Sequence, residues 1–246
     1  MKFSALLAIF LLAILPLAAQ ESQDSADLVH APDLGTRVRV NGIQIFPAVG
    51  KPFSGRDHIE WTRTLEDGST ITSELYAQIA RDSQGRIYRE HMSFVPANSG
   101  ERGWRREFDL LDPVTHTRTV CMTITRNCTI TDYHVSPQFK LQPPGTFDEG
   151  KRILVRESLG NDVIDGLNVI GTRDTITIAS GVVGNSQPLV NTREFWYSPD
   201  LEINLSTLRK DPREGTQAIH VIDLSRSEPD AAIFKIPPGF TVDDIR

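Results

Sequence analysis

Residues 194–205 read EFWYSPDLEINL, and two readings compete for them. Trp196, Tyr197, Ser198 and Asp200 crowd around Pro199 as the parts of a working site would, with Asp200 as an acid. The alternative is a hairpin. Successive side chains of a strand point to opposite faces, so Phe195 and Tyr197 face one way while Glu194 and Trp196 face the other. Ser198, Pro199 and Asp200 are turn residues, and Leu201, Ile203 and Leu205 resume a period of two. The period continues across the proline, so the stretch reads as two strands and a turn, with Asp200 a turn residue rather than a catalytic acid.

The same period runs outward in both directions. VRVNGIQIF (38–46) alternates apolar with polar, and helical periodicity is scarce from there to the end. Around EDGS (66–69) an odd-membered loop sets Trp61 and Ile59 on one face with Leu75 and Ala77, a match lost if the register slips by one. At RDSQGR (81–86), Asp82 starts a turn and Gly85 supplies a positive φ. A four-residue loop there pairs Ile79 with Tyr88 and Leu75 with Met92. Trp61, Leu75, Ile79, Tyr88 and Met92 are therefore expected on one buried face, which is either a ligand floor or plain core. REFDLLD (106–112), THTRTVCM (115–122) and CTITDY (128–133) continue the meander. In TQAIHVIDLS (216–225) both faces carry apolar residues, so something is expected to pack on the second side of the sheet. SEPDAAIF (227–234) is the one helix-like stretch, with Ser227 before it and Pro229 in its first turn.

Composition bounds the rest. Lys2 followed by the uncharged apolar run Ala5–Leu15, then Pro16 and the small residue Ala19, reads as a secretion signal over 1–19 cleaved between Ala19 and Gln20. The run is shorter than the roughly 20 apolar residues a membrane span needs, so no stable membrane anchor is expected after its removal. The chain carries 26 Lys and Arg against 32 Asp and Glu, a net charge of −6 that becomes −7 once Lys2 is lost. No basic stripe is present; ERGWRRE (101–107) is diluted by Glu101 and Glu107, and nucleic acid is excluded as a partner. A flexible polar leader over 20–36 and a single antiparallel β domain over 37–246 are expected to follow, with a long Pro- and Gly-rich loop at 136–151 suited to be a lid, an edge cover or an internal boundary.

Cys121 and Cys128 are the only cysteines. In an oxidising compartment such a pair is usually a disulfide, here a staple across one hairpin. No catalytic, cofactor or metal motif is readable. There is no GxSxG elbow or SxxK, and no histidine lies at HxH or HExxH spacing, although His116 and His134 occupy opposite arms of the stapled hairpin. GNDVIDG (160–166) lacks the ligand pattern of a calcium loop, and SGVVGNS (180–186) lacks the Lys of a phosphate loop.

The last hundred residues carry a resemblance. ESLGNDVIDGLNVIGTRDTITI (157–178), EFWYSPDLEINL and DPREGTQAIHVIDLSRSEPDAAIFKIPPGFTV (211–242) resemble a large group of uncharacterised exported bacterial proteins. The ending, an IF turn followed by IPPGFTV, resembles the close of the periplasmic carriers of outer-membrane lipoproteins, the LolA-like half-barrel proteins. That resemblance implies a curved antiparallel sheet, an incomplete barrel whose hollow side holds acyl chains; a β-sandwich is the alternative. Three functions remain open: an exported, periplasmic or secreted protein that binds an apolar ligand or lipid-like segment; a structural or interaction module that meets other proteins of the cell envelope; and a hydrolase whose residues assemble only in the fold.

Overall fold

The computed structural model describes residues 30–35, 40–101, 103–134 and 141–246. The expected secretion signal and its cleavage point at Ala19–Gln20 lie outside these residues, as do most of the leader, the first residues of the domain and part of the 136–151 loop. Of the described residues 58% are strand and 3% helix; one large, curved, open sheet, an incomplete barrel, stands beside a two-stranded one.

Sixteen strands build it: β1 (Asp33–Gly35), β2 (Val40–Ile43), β3 (Phe53–Thr64), β4 (Thr70–Arg81), β5 (Ile87–Met92), β6 (Val95–Pro96), β7 (Arg105–Asp112), β8 (Thr117–Met122), β9 (Asn127–Asp132), β10 (Gly145–Phe147), β11 (Arg152–Ile164), β12 (Leu167–Ile178), β13 (Leu189–Ser198), β14 (Ile203–Asp211), β15 (Gly215–Ser225) and β16 (Thr241–Asp244). β1 and β2 pair with each other. The other 14 lie in the order β10-β11-β12-β13-β14-β15-β3-β4-β5-β7-β8-β9-β16, with β6 joined to β4. Two meanders, β3–β9 and β10–β15, thus meet along a β15–β3 seam where His220 faces His58 and Ile219 faces Ile59. All neighbours are antiparallel except β16, which runs parallel to β9.

The opening stretch is a hairpin. Ser198 pairs with Ile203, Glu202 adopts a left-handed φ of 54° and donates its N–H to Ser198 O, and Leu201 in the turn is buried. The EDGS hairpin has the expected odd loop: Ile59 pairs with Leu75 and Trp61 with Ser73.

The β4–β5 hairpin corrects the expected register. Gly85 at φ 85° closes a tight loop in which Asp82 N–H bonds Arg86 O. This leaves three residues between them instead of four, as a type I turn followed by a left-handed residue requires. Ala80, not Ile79, therefore faces Tyr88. Tyr88 lands on the outer face, away from Leu75 and Ile79. Met92 follows it by parity, since the bulge between His91 and Met92 puts its extra residue, Arg106, on β7; Met92 nonetheless packs against the inner cluster, where β4 and β5 part.

Two cores result, one on each face of the sheet. The inner one joins Ile43, Ile45, Phe53, Ile59, Leu75, Ala77, Ile79, Ile87, Val169, Ile203, Leu205, Ile219 and Val221 with others. The outer one holds Ala80, Tyr88, Phe108, Leu110, Cys121 and Cys128 under Ile233, Phe234, Ile236 and Phe240 of the C-terminal segment. A second layer does exist, therefore, but over β5 and β7–β9 rather than over β15. On β15, Ala218 and Ile222 stay half-buried. Asp223, at φ 52° in a bulge, turns Leu224 onto the inner core instead of leaving it with them. SEPDAAIF forms one 3₁₀ turn, Ala231–Phe234, capped by Asp230 rather than Ser227. Within the 136–151 loop, β10 covers the first three residues of β11, Arg152–Leu154, on its outer edge.

Cys121 and Cys128 face each other across the β8–β9 hairpin as a disulfide, wholly buried in the outer core. Closing so short a loop stabilises the fold by about 2 to 3 kcal/mol. The Cys121→Ala/Cys128→Ala double variant should unfold in urea with that much less free energy. A non-reducing peptide map of the native chain should show the two cysteine peptides linked.

Candidate functional site

The inner, concave face of the sheet is where the expected site residues must be judged, and it is unevenly filled. At one end the segment 43–51, which runs on from β2 into β3, lies across it as a strap. Three side chains hold the strap. Arg81, fully buried on β4, donates from Nε to Lys51 O (3.0 Å), from one terminal nitrogen to Phe46 O (2.9 Å) and from the other to Leu201 O in the β13–β14 turn (2.5 Å). Burial lowers its pKa to about 10, with the charge of Glu202 opposing, so it stays a cation at neutral pH. Lys51 reaches the same turn, bonding Glu202 (2.6 Å) and Pro199 O. The third is Asp57 on β3, whose Oδ2 accepts the N–H of Ile43 at 3.1 Å.

Residues 30 and 31, the described end of the expected leader together with β1, are seated as firmly. The His30 ring stacks on Phe195 at 3.8 Å, and its Nε2 lies 3.4 Å from Asp174. Asn204 clasps the backbone of Ala31 from both sides, accepting its N–H and donating to its carbonyl. Asp174 also takes two hydrogen bonds from Arg156. Burial works against its ionisation, but the His30 and Arg156 bonds outweigh that and hold its carboxyl below the usual range.

The other end of the face is open. Along β4 the inward residues pass from Arg81, Ile79, Ala77 and Leu75, all buried, to half-buried Ser73 and exposed Ile71. Beyond the Ile79–Arg89 pair β4 and β5 separate; β4 next finds a partner in β6, at Glu74–Val95. Residues 75–78 of β4 thus lack a strand neighbour on this side, and the Gln78 N–H is taken by the Glu90 side chain at 3.0 Å. The gap is flanked by two recesses. One, of about 350 Å³, is lined by Leu75, Ala77, His91, Met92, Ser93, Phe94 and Arg106. The other, of about 780 Å³, shares Leu75 and Met92 but is otherwise lined by groups such as Arg56, Tyr76, Gln78 and Glu90. Leu75 and Met92 therefore form the partition between them.

Of the five residues expected together, Leu75 and Ile79 belong to the inner core, Met92 packs against it and Trp61 stands on the same face. Trp61 donates its indole N–H to Glu214 O and meets Phe94 edge-on at 6.1 Å. Ile79 lies in the filled half, while Leu75 and Met92 reach the open half. Phe94 was missed because it lies in the short link between β5 and the two-residue β6, where no strand period runs long enough to read.

His91 is held by Asp109 at 3.1 Å, and Arg118 reaches the same carboxylate. Ser93 stands in the recess with His91, but its hydroxyl accepts the Trp104 N–H at 2.9 Å and is not hydrogen-bonded to His91. The contact a serine hydrolase needs between nucleophile and base is not made. His116 and His134 join no group of three metal-ligating side chains among the described residues. No helix among those residues is long and apolar enough to cross a membrane.

No protein family matches this sequence, and no curated protein matches it. Solved structures resemble it in fold. An uncharacterised conserved protein from Thermus thermophilus is 12% identical, with 79% of this chain and 91% of that chain covered and a TM-score of 0.41. MucB in the MucA/MucB complex of Pseudomonas aeruginosa is 14% identical over 76% of this chain, at a TM-score of 0.36; the match spans 56% of that chain's length. A putative outer membrane lipoprotein-sorting protein domain from Vibrio parahaemolyticus is 10% identical, covering 75% and 89%, at 0.20.

Asp57 makes the strap sensitive to pH. Burial raises its carboxyl pKa from 3.8 to about 7, against the opposing Ile43 N–H and Arg89 charge. Between these two values the folded chain holds a proton that the unfolded chain has lost, so this group makes stability fall as pH rises from about 4 to about 7. Measured against Asp57→Asn, the urea-unfolding free energy of the wild type should drop by about 2 to 3 kcal/mol between about pH 4.5 and pH 8. Equal pH profiles for the two proteins would contradict the assignment.

Proposed function

We propose that this is an exported binding protein of the cell envelope or extracellular space, which holds an apolar ligand in the open half of its concave face. The carrying observation is the separation of β4 from β5, which leaves Leu75, Ala77, Met92 and Phe94 around a recess of about 350 Å³ instead of packing them against a neighbouring strand. A volume of about 300 to 1,000 Å³ is usual for small-molecule sites. An apolar wall with a few polar groups at its margin is also the usual lining. Here the polar margin is Arg106, His91 and Ser93, so the ligand that fits is an amphiphile with an acidic head, such as a fatty acid.

Met is a fitting wall residue for such a site because its unbranched, polarisable side chain adapts to an irregular partner. The buried disulfide agrees with an oxidising compartment, where such bonds persist.

The test uses the whole mature chain and a fluorescent polyene fatty acid. Binding should enhance its emission and saturate at one equivalent, and the Met92→Lys variant, which places a charge in the partition, should weaken binding at least tenfold while leaving the far-UV circular dichroism unchanged. If the wild type fails to change the probe's emission and carries no lipid in native mass spectrometry, the reading is wrong.

A further inference from the structure

The convex face of the three central strands carries a second constellation. His58 and Glu60 are two residues apart on β3 and share a face. Glu74 on β4 lies directly across from Glu60, and His220 on β15 directly across from His58. Residues paired in this way have Cβ atoms only about 4.5 to 5.5 Å apart. Four metal-ligating side chains therefore occupy adjacent positions over β15, β3 and β4. His58, Glu60 and Glu74 each offer a ligand atom, and these atoms lie within 4.8 Å of one another.

The spacing and the support are both informative. His58 Nε2 stands 3.4 Å from Glu74 Oε2. Zinc bonded at about 2.0 to 2.1 Å in a tetrahedron separates its ligand atoms by about 3.3 to 3.4 Å. Tyr76 stacks on the His58 ring at 4.3 Å with an interplanar angle of 3°. Its hydroxyl donates to Glu74 Oε2 at 3.3 Å, and the Asn98 N–H reaches Glu74 Oε1. Outer partners of this sort fix the orientation of metal ligands. His58 and Glu74 side chains are only 19% and 16% exposed, so water screens them incompletely.

Two carboxylates directly across a strand pair repel one another. Arg56, the cation on this face beside Tyr76, is committed to Asp223. Glu60 makes no hydrogen bond or ion pair with any described residue. A dication between Glu60 and Glu74 would remove the repulsion.

We propose that His58, Glu60 and Glu74, with His220 beside them as a fourth ligand, form a binding site for a divalent transition metal, zinc in the first place. Two imidazoles and two carboxylates form a nitrogen and oxygen set that suits zinc; calcium and magnesium take oxygen alone. The ion would tie β15, β3 and β4 together across the seam. It would thus cross-link the two meanders at the centre of the sheet, on the face opposite the ligand recess.

Untagged, chelator-stripped protein titrated with zinc chloride in a calorimeter should bind one ion per chain at micromolar or tighter affinity and show a raised melting temperature. Calcium chloride should do neither. Glu60→Gln and Glu74→Gln should each weaken zinc binding at least tenfold and abolish the thermal shift, whereas His134→Ala should change neither. Glu60→Gln breaks no hydrogen bond with a described residue and relieves the repulsion with Glu74, so its apo form should melt no lower than the wild type, and loss of binding in it cannot be assigned to misfolding. No binding by the wild type, or binding that survives both glutamine variants, would overturn the site.

Discussion

One fully buried guanidinium, that of Arg81, ties the closed half of this sheet together. Arg81 sits at zero exposure with three backbone carbonyls as its partners, two in the strap and one in the β13–β14 turn. Its ring neighbour Phe53 lies 5.2 Å away. A cation removed from water must have its donors satisfied, because an unpaired buried charge costs several kcal/mol. Here they are satisfied only if β4, the strap and a turn far along the chain converge. The concave face consequently has one closed half, organised around Arg81 and Asp57, and one half left to Leu75, Met92 and Phe94. The candidate site exists because the packing is asymmetric, and the asymmetry begins with this residue.

The order of the strands has a kinetic side. Within each meander neighbours are close in sequence and joined by short hairpins, so each half can assemble locally. The β15–β3 seam cannot, since residue 58 must wait for residue 220. Pairings of such long range are slow because loop closure precedes any gain from contact. β16 must likewise reach back to β9, and the segment before it brings Phe234 and Phe240 over the disulfide. The outer core is thus completed by a segment distant from it in sequence.

Much of this architecture is legible in the residues themselves. A period of two marks nearly every long strand, and the turn at Pro199 could be separated from a catalytic cluster by following that period across it. Two lone cysteines at hairpin spacing sufficed for the disulfide. What escaped was whatever depends on a single residue of register. Asp82 and Gly85 were read correctly as turn residues, but one residue fewer in the loop moved Tyr88 to the other face. A bulge before Leu224 reversed a face again, and no local pattern announces a bulge. The open recess was illegible for another reason: it arises where two strands part, a property of the sheet rather than of either strand. The His58, Glu60, Glu74 and His220 group was hidden likewise, its members being scattered over three strands that only the fold makes adjacent.

The open sheet ends in β10 on one side and β16 on the other, strands of three and four residues. β11, the long strand beside β10, has thirteen. An unprotected edge of that length would offer a second molecule a row of free N–H and C=O groups, a template on which copies could add indefinitely. β10 pairs only with Arg152–Leu154, so residues 155–164 of β11 have no strand neighbour on that side among the described residues, whereas the other border ends in β16 with the acidic Asp243 and Asp244. A barrel avoids self-templated growth by having no edge. This chain keeps its hollow accessible, and with it one long strand edge along β11.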